Sequence, residues 1–260
     1  MTARVDFSNN ASSYDRRHGA VIAPDVVQAL ARAASLTAGA VVLDVAAGTG
    51  RVAIPLTALG CRVVALDAAR PMLDAIPKKA LSLTIPRVVA EGARLPVASA
   101  SFDAVVIARL LYLVPEWREL LREVRRVLVP GGRVLHEWSN GDADEEWVQI
   151  REKLRVMFEL EGVANPFHPG VRTEDDVEAF LAGLGMTRIA TERLGGGHLM
   201  TVADFLKRLV EGECSYTWAV PKDIAARCLP ELQTWAAARF DLLREVPMPR
   251  EIVWRAYEKP

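Results

Sequence analysis

Short apolar runs alternate with helical stretches over the first half of the chain, and this alternation restricts the possible folds more than any other feature. Five runs rich in β-branched residues are predicted to be buried parallel strands: VVLDVAA (41–47), RVVALDA (62–68), PRVVAEG (86–92), FDAVVIAR (102–109) and RVLHEW (133–138). The stretch 115–132 places its apolar residues on one face of a helix. The pattern predicts an α/β fold, an open doubly wound sheet whose ligands bind at the carboxyl ends of its strands.

Two later runs alternate like strands: MTRIATERL (186–194) and REIVWRAYE (250–258). They extend the prediction to a mostly parallel, seven-stranded, Rossmann-like sheet. Three further segments are mostly helical in pattern: 1–30, 140–185 and 199–245. Because no internal repeat or low-complexity linker separates them, we expect a single domain over 1–260. Its nucleotide-binding core comprises about 37–139 with the late strands, and the helical segments form a lid and acceptor cover.

Composition and charge narrow the class of protein. The 260 residues are 51% hydrophobic and 25% charged, as in a globular chain. The chain has 32 Lys and Arg residues and 33 Asp and Glu residues. Its net charge therefore creates no electric field that would favour binding to nucleic acid or to an anionic membrane. No apolar stretch approaches the roughly 18 residues of a membrane span, and no signal-peptide segment is evident. We expect a cytoplasmic protein.

A metal site is not expected from the sequence. The three cysteines are Cys61, Cys214 and Cys228, widely spaced and without a C-x-x-C pair. The four histidines have no local metal-ligand spacing: His18, His136, His168 and His198.

A turn of small residues follows the first predicted strand and allows a ligand to approach the backbone closely. Residues 48–53, GTGRVA, also satisfy the G-x-G-x-x-[G/A] pattern of dinucleotide enzymes, with Gly48, Gly50 and Ala53 at its fixed positions. Asp44 argues against that interpretation, because a carboxylate at the strand end suits a cationic group and repels a pyrophosphate. Asp67, at the end of the second strand, suits the two hydroxyls of a ribose under either interpretation.

The ordered motifs resemble those of class I S-adenosylmethionine-dependent methyltransferases over roughly residues 40–138. They are LDVAAGTGR, ALDAARPML, AEGARLPVASASFD, VVIAR followed by LLYLVPEW, and LREVRRVLVPGGRVLHEW. The resemblance implies S-adenosylmethionine as the cofactor. It puts Asp44 near the methionine amino group and Ala46, Gly48 and Gly50 along the cofactor. The family usually has glycine where this chain has Ala46.

The resemblance also implies roles for residues after the later strands. Asp67 would bind the ribose hydroxyls, and Arg109 would lie beside the methionine portion or point at an acidic substrate. The other implied cofactor contacts are Tyr14, Ala68, Met72, Glu91, Gly92 and Ala93. Asp44 and Asp67 could alternatively be helix caps, and Met72 could be a core residue.

We expect a small-molecule methyltransferase, acting as a monomer or homodimer, with no nucleic-acid or membrane partner. The candidate acceptor-binding residues are Tyr112, His136, Tyr216 and Trp218. No catalytic residue is assigned, because the cofactor is reactive enough for positioning to suffice. Arg109 and His136 as polar anchors favour a neutral or anionic acceptor.

Two alternatives stay open at this point. An NAD-dependent oxidoreductase would use Gly48, Gly50 and Ala53, although the chain lacks a Tyr-x-x-x-Lys pair. A non-catalytic relative that only binds the cofactor would have the same motifs.

Overall fold

The computed structural model of the chain describes residues 14–15, 19–138, 146–163, 169–195, 198–214, 217, 220–248 and 251–260. They form two units. The sheet unit contains the described residues of Asp6–Trp138, Gly170–Arg193 and Val253–Pro260. The helical unit contains those of Ser139–Pro169 and Leu194–Ile252.

The strands follow the predicted runs. They are β1 (Val41–Val45), β2 (Arg62–Asp67), β3 (Arg87–Val89), β4 (Phe102–Ala108), β5 (Leu128–Trp138), β6 (Thr187–Gly195), β7 (His198–Thr201), β8 (Glu245–Met248) and β9 (Glu251–Glu258). Among the described residues, seven strands form one sheet in the order β3-β2-β1-β4-β5-β9-β6. Strands β1 to β5 are parallel to one another, and β9 is antiparallel to β5. The predicted doubly wound, mostly parallel seven-stranded sheet is confirmed.

The helices complete the element order. They are α1 (Pro24–Ala33), α2 (Ala53–Ala58), α3 (Arg70–Leu73), α4 (Ile76–Lys79), α5 (Trp117–Val127), α6 (Glu146–Leu160), α7 (Glu174–Gly183), α8 (Val202–Val210) and α9 (Lys222–Ala237). Within the described ranges, none of them combines the length and apolar character needed to cross a membrane.

The core of the sheet unit explains why its strands are continuous apolar runs. The residues of β4 from Ala104 to Ile107 are completely buried, as expected for a parallel strand covered on both faces. Helix α5 packs its predicted apolar face into this core. Helix α7 joins the same core through Val177 and Leu181, although the sequence pattern grouped it with the covering segments. It begins after Thr173, whose side chain accepts a hydrogen bond from the backbone N–H of Asp176.

The helical unit has a core of its own. Helices α6, α8 and α9 contribute buried side chains that include Trp147, Phe158, Phe205, Leu209 and Leu232. Strands β7 and β8 pair as an antiparallel ribbon at the two ends of the predicted helical insertion. This pairing satisfies backbone groups that neither short segment could satisfy alone.

Candidate active site

Asp44 is a buried carboxylate at the carboxyl end of β1. Asp44 is only 1% exposed, and this burial raises the pKa of its carboxyl group to about 7. The backbone N–H of Ala53 and the charge of Arg51 lower this pKa, whereas the charge of Asp67 raises it. Among the described residues, none hydrogen-bonds to Asp44 Oδ2. A buried acceptor atom without a partner is costly unless a ligand satisfies it, so Asp44 is suited to bind a donor.

The turn after β1 has the left-handed backbone that small residues permit. Ala46, Gly48 and Gly50 have φ values of 58°, 55° and 86°. A Cβ atom on Gly50 would lie 3.0–3.1 Å from side-chain atoms of Ile76 and Ile54, so packing requires glycine there. Ala46 has a Cβ despite its positive φ, which is a strained conformation at a candidate site.

Asp67 connects the end of β2 to this turn. Its Oδ2 accepts a hydrogen bond from the Gly48 backbone N–H, and its Oδ1 accepts one from the Ala69 N–H, both at 2.8 Å. Burial raises the pKa of Asp67, the two hydrogen bonds lower it, and Glu91 raises it. Each carboxylate oxygen has a second lone pair, so Asp67 can still accept from hydroxyl groups of a ligand.

Tyr14 lies over the glycine turn. Its ring is 3.8 Å from the position that a Cβ on Gly48 would occupy. Burial raises the pKa of its phenol, which lies in the electric field of Arg109, Arg51, Glu137 and Asp67.

Asp15 joins the segment that contains Tyr14 to the glycine turn and to α4. The Thr49 hydroxyl donates to the Asp15 carboxylate, and Lys79 Nζ lies 2.9 Å from Asp15 Oδ2. Lys79 also donates to the Ala20 carbonyl. Tyr14 is thereby held beside the turn.

The structure reveals an ion pair that the sequence analysis missed. Arg51 Nη1 lies 2.8 Å from Glu137 Oε2, and the two side chains are 10% and 0% exposed. Among the described residues, none hydrogen-bonds to Glu137 Oε1. The register Asp44↔Val106↔Leu135 puts Glu137 on the same face of the sheet as Asp44. A glutamate inside the apolar run RVLHEW was the available signal.

Five of the other predicted cofactor contacts follow β2 and β3. Ala68 and Glu91 are exposed, and Gly92 and Ala93 are half-buried. Met72 is buried in α3. Gly92 has a packing role, because a Cβ there would lie 2.7 Å from Leu120 Cδ1.

Arg109 follows β4 with a φ of 55°, and its charge lowers the pKa of Tyr14. Tyr112 lies edge-on to Trp138, with ring centroids 6.4 Å apart. Trp138 was not predicted as a site residue. These two half-buried aromatic rings lie after β4 and at the end of β5, where ligands of such sheets bind.

His136 points to the opposite face of β5 from Glu137, because consecutive strand residues alternate. It is 1% exposed, and burial and the charge of Arg255 lower its pKa to about 3. Arg255 forms an ion pair with Glu174. The imidazole is therefore neutral, and none of the described residues hydrogen-bonds to its Nδ1.

Two predicted acceptor residues, Tyr216 and Trp218, lie outside the described residues. Within the described part of the chain, no group of three or more His, Cys, Asp or Glu residues could hold a metal ion.

Comparison with known proteins relates part of the chain to one family of enzyme domains. Residues 43–136 match the family model of the methyltransferase domain. A demethylmenaquinone methyltransferase of Corynebacterium efficiens is 41% identical over 99 residues, 38% of this chain and 41% of the relative. A Clavibacter sepedonicus enzyme of the same name is 38% identical over 133 residues, 50% of this chain and 54% of the relative. The chain thus spans about half or less of the length of these curated relatives.

Solved structures share the fold. The YcgJ protein of Bacillus subtilis superposes with a TM-score of 0.62 and 17% identity, covering 90% of this chain and 98% of that one. Phosphoethanolamine N-methyltransferase 2 of Haemonchus contortus, in complex with S-adenosyl-L-methionine, has a TM-score of 0.57 and 15% identity, covering 97% and 57%. Residues 43–136 thus match a methyltransferase domain, and the sheet unit has the fold of class I S-adenosylmethionine-dependent methyltransferases that the motifs predicted.

Proposed function

We propose that this protein binds S-adenosylmethionine and transfers its methyl group to a small organic acceptor. The observation that carries the proposal is the joint placement of Asp44 and Asp67 at the ends of neighbouring parallel strands, on either side of a left-handed glycine turn. The cofactor has a cationic amino-acid end and a ribose diol, and these residues are chemically suited to both. When bound, the cofactor supplies an electrophilic methyl group on a sulfonium.

Each residue has a binding role in this proposal. Asp44 Oδ2 accepts from the ammonium group, and Asp67 accepts from the ribose hydroxyls with its remaining lone pairs. Tyr14 covers the turn and excludes water. The proposed adenine contacts are Ala68, Met72, Glu91, Gly92 and Ala93.

Positioning is the main catalytic task of the chain. Holding an acceptor in line with a reactive methyl group can lower a barrier by about 7–11 kcal/mol. No general base is assigned. A His136 imidazole with a pKa of about 3 is too weak a base to take up a proton near neutral pH.

The proposed acceptor site includes Arg109, Tyr112 and Trp138. Two aromatic rings provide apolar surface, and a guanidinium provides one polar anchor, which suits a neutral or anionic molecule. The relatives named demethylmenaquinone methyltransferase are consistent with an apolar acceptor, but the matched segments cover only about half of them.

The proposal is tested by titrating the chain with S-adenosylhomocysteine in a calorimeter. We expect one binding site per chain, and Asp67→Asn should weaken binding at least tenfold, because hydrogen bonds to a charged acceptor contribute about 1.5–3 kcal/mol each. Asp74→Asn is the matched control, since Asp74 is an exposed carboxylate paired with Arg87. Absence of binding, or tight NADH binding that S-adenosylhomocysteine does not displace, would contradict the proposal.

A further inference from the structure

The Arg51–Glu137 ion pair has no role in the proposed function as described so far. Both partners are buried, and Glu137 belongs to the strand that borders β4 on the side away from β1. Removing two charges from water costs several kcal/mol per ion, and the attraction between them often fails to recover it. Stability alone therefore explains this pair poorly, and a ligand is the better explanation.

Two orphaned oxygen atoms lie on one face of the sheet. Glu137 Oε1 and Asp44 Oδ2 are buried, and none of the described residues hydrogen-bonds to either atom. Arg51 acts electrostatically on Asp44 and forms an ion pair with Glu137. The Arg51 guanidinium thus interacts with both buried carboxylates.

This group lies beside the segment that covers the glycine turn. The Tyr14 phenol is in the field of both Arg51 and Glu137, and its ring lies next to Gly48. A ligand bound beside Tyr14 and the turn would therefore meet both signs of charge. A zwitterionic α-amino acid group carries the complementary pair, an ammonium and a carboxylate.

We infer that the Arg51–Glu137 pair recognises the amino-acid end of the cofactor. The Arg51 guanidinium binds the ligand carboxylate, for which its fork of donors is the suitable geometry. Glu137 orients Arg51 through Oε2 and accepts from the ligand ammonium through Oε1, on the same face of the sheet as Asp44. This inference rests on the proposed function, because it assumes that S-adenosylmethionine is the cofactor.

The test compares two ligands that differ only in the group concerned. S-adenosylhomocysteine has the amino-acid end, whereas 5′-methylthioadenosine retains the adenosine and thioether but lacks it. For Glu137→Gln and for Arg51→Lys, we expect the dissociation constant of S-adenosylhomocysteine to rise at least tenfold. The constant for 5′-methylthioadenosine should stay within about twofold of that of the unmodified protein, because this ligand lacks the group that the pair would bind.

A matched control uses another ion pair of the same strand. Glu258→Gln removes the partner of Arg133 in β5 and should change neither dissociation constant. If Glu137→Gln fails to fold, the double variant Arg51→Met, Glu137→Met removes both charges together, a replacement that buried ion pairs often tolerate. This double variant should still bind 5′-methylthioadenosine, but it should no longer bind S-adenosylhomocysteine more tightly than 5′-methylthioadenosine.

The outcomes separate the inference from the proposed function. Equal weakening of both ligands would mean that the pair only supports the fold, and unchanged binding of both would mean that it lies away from the ligand. Either result overturns the inference while S-adenosylhomocysteine binding by the unmodified chain still supports the proposed function. If the unmodified chain binds neither ligand, the proposed function itself fails.

Discussion

Asp44 illustrates how burial of one residue ties ligand binding to pH. Its pKa of about 7 lies far above the ordinary value of 3.8, mainly because burial penalises the charge. The charges acting on it are those of Asp67 and Arg51. An ammonium ligand requires the ionised form, so below this pKa binding must displace a proton.

We therefore predict that the affinity for S-adenosylhomocysteine rises up to about tenfold per pH unit below pH 7 and levels off above it. Calorimetric titration between about pH 5.5 and 8 measures this dependence. In Asp44→Asn the group no longer titrates, and the slope should be largely lost. A slope equal in both proteins would assign the titration to another group.

By the same linkage, the Asp44 carboxyl should make the ligand-free fold less stable as pH rises from about 4 to 7, because the same carboxyl ionises more readily in the unfolded chain.

Ala46 holds a left-handed conformation that glycine adopts more easily. The strain of an L-residue there is about 1–2 kcal/mol, partly offset by the greater chain entropy of glycine in the unfolded state. We predict that Ala46→Gly stabilises the protein by up to about 1 kcal/mol in urea denaturation. Ala100→Gly should behave alike, since Ala100 has a φ of 51° on an exposed turn. Ala98→Gly, exposed and without positive φ, should instead be neutral or destabilising.

At the scale of elements, the segment around Asp15 is fastened to the glycine turn and to α4. The ion pair with Lys79 is partly exposed, so its contribution to stability is small, but it holds Tyr14 over the turn. We predict that Lys79→Gln accelerates release of S-adenosylhomocysteine several-fold in stopped-flow fluorescence. Lys78→Gln, an exposed neighbour in the same helix, is the control. Identical release rates in the two variants would rule out this role.

The strands were predictable because parallel strands buried on both faces are nearly continuous apolar runs. Boundaries were less accurate: 86–92 was predicted where β3 spans only Arg87–Val89, and 133–138 where β5 spans Leu128–Trp138. Asp44 and Asp67 were identifiable because each lies at or next to the last residue of a strand. Their roles toward a cofactor stay predictions.

Other features depend on pairings that no local pattern contains. Arg51 and Glu137 are 86 residues apart, and only the strand order brings them together. The orientation of His136 could not be predicted, since a shift of one residue reverses the face of every side chain in a strand.

At the scale of the molecule, the two units have separate hydrophobic cores. Leu232 is completely buried in the core of the helical unit, whereas all described residues of the proposed cofactor site belong to the sheet unit. We predict that Leu232→Ala destabilises the protein by about 2–5 kcal/mol and leaves the affinity for S-adenosylhomocysteine unchanged at a temperature where the variant is folded. Circular dichroism with urea and calorimetry measure the two quantities. A parallel loss of affinity would show that the cofactor site depends on the helical unit.

The two backbone hydrogen bonds to Asp67 have a consequence for the energetics of recognition. Because the N–H groups of Gly48 and Ala69 already hold both carboxylate oxygens, folding has immobilised this side chain before any ligand arrives. A ribose would then meet a preorganised acceptor, and the entropy of ordering the rotamer would not be subtracted from its affinity. Glutamate has the same charge and the same acceptor atoms, but its additional methylene group would have to be fixed by the ligand at the moment of binding.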